Sequence, residues 1–286
     1  MSIIIEILKS LLYGIIQGIT EWLPVSSTGH LILLHTAMPL KVFEDASANA
    51  AFWNMYKVVI QLGSILAVVV LYWPKLWPFS KNSTEAKRKK TYRLWILIIA
   101  ASIPVAVIGY LLNDIVDEKL STPAIVGLAL IIYGLIFLLV ENKPRTPVIT
   151  STEKIPFKTA VFTGLFETLA LIPGTSRSGS TIIGSLLLGM DRPTATEFSF
   201  FLAIPAMLGA SLLKITKMKF NIGVSGALVL LTGVAAAFVV SIMIVRSLLY
   251  YIRRNDFKLF GVYRIILGVL ILILVVMGAV PEGVGV

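Results

Sequence analysis

Long apolar stretches alternate with short polar segments along almost the whole chain, and this pattern predicts transmembrane helices. A helix needs about 20 predominantly apolar residues to cross a bilayer. Six segments meet this requirement, although the fourth is near the short limit; they lie at about residues 50–73, 94–112, 122–140, 197–213, 226–250 and 259–280. The pattern therefore predicts an all-α polytopic membrane protein with one integral-membrane domain over residues 1–286.

Two further apolar regions are interrupted by polar residues and predict helical hairpins instead of spans. Residues 3–38 are broken at TEWLPVSSTGH, and residues 158–190 are broken at PGTSRSGST. Pro and Gly in each break end helices, so we expect each half to be too short to cross the bilayer. We predict two re-entrant hairpins, whose polar turns are tolerated at membrane depth only inside protein or beside a water-filled cavity.

Composition supports a membrane protein and excludes several other classes. The chain is 57% hydrophobic and 14% charged, and its mean hydropathy is +0.91, which excludes an ordinary soluble domain. It contains no cysteine, so disulfides and thiolate chemistry are excluded. We assign the net charge of +10 to cytoplasmic loops and anionic headgroups, and we expect no nucleic-acid partner.

The distribution of Lys and Arg predicts the orientation in the membrane. Loop 74–93 carries seven basic residues, which the positive-inside rule places in the cytoplasm. Counting spans from that loop puts both termini on the outer side, although Lys214, Lys217 and Lys219 then also fall outside. The first hairpin enters from the outer side and the second from the cytoplasm, so both polar turns can reach the bilayer midplane.

The two halves of the chain show an internal repeat. A shift of 150 positions aligns several residues of the two hairpins, namely Gly14 with Gly164, Gln17 with Glu167, Ser26 with Ser176, Thr28 with Ser178 and Gly29 with Gly179. Each half, about 1–140 and about 158–280, holds one hairpin and three spans. Because three is odd, the second copy is inverted, an arrangement that places a binding site where broken helices meet.

Four ionisable residues lie in or beside the two breaks: Glu21, His30, Glu167 and Arg177. A charge at the bilayer centre costs about 2.5–3.5 kcal/mol on insertion scales. This cost must be offset by pairing of the charges or by a charged ligand. One interpretation is a structural Glu21–Arg177 ion pair, and the other is a site for an anion.

Hydrogen-bond donors around Arg177 favour the anion site. Small residues let successive backbone amides point one way, and two helix N-termini add positive dipoles. An arginine fork bonds two oxygens and stays charged in a dry pocket. This combination predicts phosphate or diphosphate binding, although helix capping accounts for some of the hydroxyls. The candidate substrate-binding residues are Ser26, Thr28, Gly174, Ser176, Ser178 and Thr181.

Catalysis is predicted from His30 and its neighbours. His30 follows the first Ser-rich turn and can attack phosphorus itself or take a proton from Ser27 or water, whereas we interpret His35 as structural. Gln17 and Glu21 share one helix face because they are four residues apart. A carboxylate there can orient His30 or hold a divalent cation that bridges phosphate oxygens.

These motifs resemble the undecaprenyl-pyrophosphate phosphatases of bacteria, the bacitracin-resistance family. EWLPVSSTGH (21–30), preceded by QGIT (17–20), is similar to the first family motif, and PGTSRSGST (173–181) is similar to the second. Two further segments also resemble the family: VVIQLGSILAVV (58–69) and EFSFFLAIPAMLGA (197–210). The resemblance therefore covers the whole chain.

The resemblance implies hydrolysis of undecaprenyl diphosphate to undecaprenyl phosphate and inorganic phosphate. That reaction recycles the lipid carrier for peptidoglycan and other wall polymers and confers bacitracin resistance. The resemblance also implies a bacterial plasma-membrane protein whose site is open to the outer side and which needs a divalent cation, Mg²⁺ or Ca²⁺. The residues carried over by position are Glu21, Ser26, Ser27, His30, Ser176, Arg177 and Thr181.

Position 17 departs from the family pattern, because it is often glutamate in the family and is Gln17 here. The change removes one candidate ligand from the metal site. The internal repeat suggests Glu167 as a substitute, since it occupies the equivalent position in the second half. The candidate metal ligands are therefore Glu21, with Gln17 and Glu167 as further candidates.

A secondary transporter or flippase for a phosphorylated lipid or an anion is the alternative function, because inverted repeats with midplane hairpins also build transporters. His30 beside two Ser-rich turns favours an enzyme, since a transporter has less need of a proton-handling group. The expected partner is a long-chain polyprenyl diphosphate in the membrane. The sequence leaves the oligomeric state open, with a homodimer as one alternative.

Overall fold

Twelve α-helices make up most of the protein that the structure describes. The computed structural model describes residues 3–80, 83–143, 146–216 and 222–280, so Lys81, Lys217 and Lys219 lie outside the described residues. The helices are α1 (Ile3–Thr20), α2 (Ser27–Ala37), α3 (Ala46–Val59), α4 (Gln61–Leu71), α5 (Trp73–Leu76), α6 (Glu85–Ile115), α7 (Pro123–Asn142), α8 (Phe157–Glu167), α9 (Arg177–Leu187), α10 (Arg192–Thr216), α11 (Gly223–Ile252) and α12 (Lys258–Val276).

The predicted all-α, multi-pass membrane architecture is confirmed. Each of the six predicted spans corresponds to a helix, and the first is divided at Ile60 into α3 and α4. Seven helices in the described ranges are long and apolar enough to cross a membrane, because α1 also qualifies. The prediction that each hairpin half is too short is therefore wrong for α1. Its polar break begins only at Thr20, which leaves 18 helical residues before it.

The two hairpins turn in the same way. In the first, α1 ends at Thr20 and α2 begins at Ser27; in the second, α8 ends at Glu167, a 3₁₀ turn follows, and α9 begins at Arg177. The residue before each second helix, Ser26 or Ser176, has a φ of 70°, which is uncommon for a residue other than glycine. Both second helices have 11 residues. The alignment at a shift of 150 thus corresponds to a shared local conformation.

Helix packing exchanges partners between the two halves. In the first hairpin, α1 packs against α11, and in the second, α8 packs against α6. A Cβ on Gly14 would overlap the carbonyl oxygen of Gly233, and a Cβ on Gly164 would overlap that of Ala101. Glycine therefore permits the closest approach at equivalent places in both halves. This exchange is what a two-fold repeat requires, while the inversion itself stays a prediction.

Candidate active site

A buried arginine from the last helix joins the two hairpin breaks. Arg264 lies on α12 with no exposed surface. Its Nη1 donates to the carbonyl oxygen of Pro24 at 3.1 Å, and its Nη2 donates to those of Gly174 and Thr175 at 2.8 Å each. Because the carbonyls come from both breaks, one guanidinium satisfies the polar backbone of two turns that lie 150 residues apart. The two breaks therefore meet inside the helical bundle.

Glu21 lies at the centre of the side-chain contacts between the breaks. Its Oε2 accepts hydrogen bonds from Gln17 Nε2 at 2.8 Å and from Ser27 Oγ at 3.0 Å. Its Oε1 lies 3.4 Å from Arg177 Nη2. Glu21 is buried and Arg177 is partly buried, so this ion pair is largely shielded from solvent. The predicted Glu21–Arg177 pair is therefore present, and it also connects to a serine hydroxyl.

Arg177 is only partly satisfied by the protein. Its Nη1 donates to the carbonyl oxygen of Ser199 at 2.8 Å, and its guanidinium lies 5.8 Å from the ring centroid of Trp22. Its Nε is buried and has no hydrogen-bond partner among the residues that the structure describes. A buried donor without a partner costs free energy that a bound oxygen would recover. This geometry favours an anionic ligand over an ion pair alone.

The small polar residues of the second break make two kinds of contact: some cap α9, and others connect the two breaks or the neighbouring helix. Ser176 Oγ accepts from the Gly179 amide at 3.2 Å, so it caps α9 as the capping interpretation proposed. Ser178 Oγ donates to the carbonyl oxygen of Glu21 at 3.3 Å and so connects the breaks. Thr181 Oγ1 donates to the Arg177 carbonyl at 2.9 Å and lies 2.6 Å from Ser199 Oγ.

The two breaks differ in the conformation and contacts of the residues at their turns. Ser26 begins α2 without a side-chain cap, and Thr28 is half-buried in the first turn of that helix. At the second break, Gly174 has a φ of 97°, and a Cβ there would lie 2.6 Å from the carbonyl oxygen of Val126. Glycine is needed at this turn for both conformation and space. The structure thus places all six candidate substrate-binding residues in the two turns that meet or in the first turns of the helices that follow them.

Each ring nitrogen of His30 lies within hydrogen-bond distance of a partner. Its Nδ1 lies 2.8 Å from the Ser26 carbonyl oxygen, and its Nε2 lies 2.7 Å from Tyr263 Oη. Ser27 donates to Glu21 instead of His30, so the structure pairs the hydroxyl with the carboxylate. His35 stacks on Trp53 with ring centroids 3.9 Å apart, in keeping with a structural role.

The candidate metal ligands are few. Glu167 is 1% exposed, and within the described part of the chain both of its carboxylate oxygens, like Oε1 of Gln17, are buried without a hydrogen-bond partner. Among the described residues, no three His, Cys, Asp or Glu side chains form a metal-binding group. Unpartnered buried oxygens fit a cation, and Mg²⁺ commonly uses one or two carboxylates together with substrate phosphates. The donors present therefore fit a sparse cation site.

Sequence reasoning missed two residues of α12 that contact the breaks, Tyr263 and Arg264. For Arg264 a signal was available, because an arginine within a predicted span is by default a functional hypothesis. For Tyr263 the sequence carries no comparable signal, since tyrosine is common at membrane interfaces. Their partners are more than 230 residues earlier in the chain in the first break.

The fold and the site define a multi-pass membrane protein that encloses an arginine, a carboxylate, a histidine and serine hydroxyls between two helical hairpins. Residues 10–270 match the family model described as "Bacitracin resistance protein BacA", and the chain belongs to this family.

Curated relatives match over almost the full length of the chain. It is 47% identical over 271 residues to "Undecaprenyl-diphosphatase" of Acetivibrio thermocellus, covering 94% of this chain and 97% of that protein. It is 48% identical over 274 residues to the protein of the same name from Enterococcus faecalis, with the same coverage. It is also 48% identical over 269 residues to "Undecaprenyl-diphosphatase 1" of Clostridioides difficile, covering 94% and 96%.

Proposed function

We propose that this protein is an integral-membrane phosphatase that hydrolyses undecaprenyl diphosphate to undecaprenyl phosphate and inorganic phosphate. The reaction recycles the lipid carrier for cell-wall polymers and thereby confers bacitracin resistance. Membership of the family and the names of the relatives support this activity. The observation that carries it is the contact of both breaks at Glu21, where Arg177 and Ser27 lie on the same carboxylate.

The diphosphate binds where the hairpin turns meet, while the polyprenyl tail stays in the bilayer. Arg177 and the amides that begin α9 hold phosphate oxygens. Phosphoryl transfer has a loose transition state with its charge spread over the phosphate oxygens, so positioning and electrostatics supply most of the catalysis. Arg177, partly buried beside two helix N-termini, can supply both.

Ser27 and His30 are the two candidate nucleophiles, and the hydrogen bonds favour Ser27. Glu21 is placed to take the proton of the Ser27 hydroxyl as its oxygen bonds to the terminal phosphorus. The bond to the bridging oxygen then breaks and undecaprenyl phosphate leaves. His30 takes a proton through Nε2 from the water that cleaves the phosphoserine and releases inorganic phosphate.

A divalent cation, Mg²⁺ or Ca²⁺, would neutralise charge on the diphosphate oxygens when bound. The residues proposed to hold it are Glu21 and Glu167, with the amide oxygen of Gln17. Support comes from the buried oxygens of Glu167 and Gln17, which have no hydrogen-bond partner in the described ranges. Burying a carboxylate without a partner is costly, and a cation removes that cost.

Exchanging the acid and the amide tests this cation site. Glu167→Gln is expected to raise the Mn²⁺ concentration needed for half-maximal binding about 10-fold, which is about the effect of losing one supporting ligand. The double variant Gln17→Glu/Glu167→Gln keeps the number of carboxylates and is expected to recover most of the affinity. Binding is measured by electron paramagnetic resonance of free Mn²⁺, independently of turnover. Equal affinity in the wild type and Glu167→Gln would remove Glu167 from the site.

We further propose a plasma-membrane location with the site open to the outer side. The basic residues of loop 74–93, placed in the cytoplasm by the positive-inside rule, support this orientation. We also propose that the halves at about 1–140 and 158–280 form an inverted repeat, which the matching hairpins support. The homodimer named as an alternative stays a prediction.

Phosphate release in detergent tests the proposed activity and excludes its rival. Purified protein in detergent has no membrane and no gradient across which to move a substrate. A transporter or flippase does not break the bond between the two phosphates, so it would release no phosphate. We expect release from undecaprenyl diphosphate, slower release from a short-chain polyprenyl diphosphate, and strong inhibition by a chelator. Absence of release with Mg²⁺ or Ca²⁺ present would contradict the proposal.

A further inference from the structure

Tyr263 contacts His30 through both a hydrogen bond and a parallel arrangement of the two rings. Its hydroxyl lies 2.7 Å from His30 Nε2, and the two rings are nearly parallel, with an interplanar angle of 6° and centroids 5.6 Å apart. Tyr263 is 44% exposed, so it lies between the buried site and the outer surface of the bundle. The next residue, Arg264, is fixed by three backbone carbonyls, which anchors this turn of α12.

The hydrogen bonds assign the proton on the neutral imidazole. A carbonyl oxygen can only accept, so the 2.8 Å contact with the Ser26 carbonyl requires a proton on His30 Nδ1. The Nε2 of the neutral ring then has a free electron pair, and the Tyr263 hydroxyl donates to it. Both a base and a nucleophile need this electron pair. The tautomer is thus set by one contact with the first break and one with α12.

We propose that Tyr263 is a positioning residue that holds His30 in the Nδ1-protonated tautomer by donating a hydrogen bond to Nε2. The proposal rests on the proposed phosphatase function, to which it adds a residue of the last helix. Tyr263 acts through His30 alone and makes no bond in the reaction. When the reacting water enters, it replaces the Tyr263 hydroxyl as the hydrogen-bond donor to Nε2. The parallel rings keep the imidazole in place during this replacement.

Kinetics of Tyr263→Phe separate positioning from general stability. The phenyl ring keeps the stacking and removes one hydrogen bond, so kcat is expected to fall about 10-fold with KM unchanged. Tyr110→Phe is the matched control, because Tyr110 on α6 is 86% exposed and far along the chain from both breaks; it is expected to leave both constants unchanged. In a His30→Ala background, Tyr263→Phe is expected to change kcat less than about 2-fold. An equal reduction in both backgrounds, or no reduction in the wild type, would overturn the proposal.

Nuclear magnetic resonance of the imidazoles tests the same proposal without turnover. The chain has two histidines, so untagged protein labelled with ¹⁵N-histidine gives two imidazole patterns, and His30→Ala identifies the one of His30. In the wild type, we expect His30 to show a protonated Nδ1 and an unprotonated, hydrogen-bonded Nε2. In Tyr263→Phe, we expect the Nε2 resonance to move toward that of a free electron pair. An unchanged Nε2 resonance would overturn the positioning role even if phosphate release is normal, whereas absence of release would contradict only the proposed function.

Discussion

Arg177→Ala is expected to lower kcat for phosphate release by about 10²–10³-fold, the usual cost of removing a preorganised donor to transition-state charge. The guanidinium donates to the protein at Ser199 and reaches Glu21 only at 3.4 Å, and its Nε has no partner. Most of its hydrogen-bonding capacity is therefore available to phosphate oxygens. The measurement is steady-state phosphate release by purified variants.

The thermal stability of Arg177→Ala should change much less than its turnover. Arg177→Lys tests whether the fork matters as well as the charge, and we expect it to stay about 10-fold or more below the wild type, because lysine cannot bond two oxygens at once. Arg254→Ala is the matched control, since Arg254 packs over Tyr250 outside the site. Near-wild-type phosphate release by Arg177→Ala would contradict the anion site and leave the structural ion pair as the explanation.

The Glu21–Arg177 contact combines both interpretations of the charged residues. A buried ion pair rarely stabilises a protein on its own, because desolvation of two charges offsets their attraction. The pair here is long and shares its carboxylate with Ser27 and Gln17, which makes it an incomplete structural link. It is better explained as the arrangement before substrate binds, to which a bound diphosphate adds the missing hydrogen-bond acceptors.

Much of the fold could be predicted from the sequence, because lipid imposes a simple length and polarity requirement on each helix. The spans and both hairpins followed from apolar runs and from the Pro and Gly residues that interrupt them. The predicted α1 is too short, because the break at TEWLPVSSTGH begins late in residues 3–38 and the helix continues to Thr20. The division of the first span at Ile60 was also missed, since no Pro or Gly marks it.

The site was predictable only where its residues are close together in the sequence. The two motifs gave Glu21, Ser27, His30 and Arg177, because each break concentrates polar groups that lipid would reject. The contribution of α12 was only partly predictable: Arg264 stands out as a charged residue within a predicted span, but the contact of that helix with both breaks is a property of tertiary packing. The pairing of Ser27 with Glu21 was not predictable either, because the sequence places both His30 and Glu21 within reach of that hydroxyl.

His30→Ala is expected to stall the reaction after its first step and to accumulate a phosphoenzyme. With Ser27 as nucleophile and Glu21 as its base, the first transfer does not need the imidazole, whereas activation of the hydrolytic water does. Steady-state kcat should fall about 10²–10⁴-fold, the range for loss of a general base. Rapid quenching with terminally ³²P-labelled substrate should trap close to one phosphate per protein, in a form stable to acid.

Ser27→Ala is the matched variant, because it removes the hydroxyl and leaves His30 and its two hydrogen bonds in place. We expect it to form no adduct and to lose turnover to a similar extent. An adduct that is labile in acid, present in the wild type and absent in His30→Ala, would instead identify phosphohistidine. The roles would then be exchanged: His30 would attack phosphorus through the Nε2 that faces Tyr263, and the Ser27–Glu21 pair would serve the water. Either adduct would place the chemistry in the first break and leave the second break to hold the phosphate.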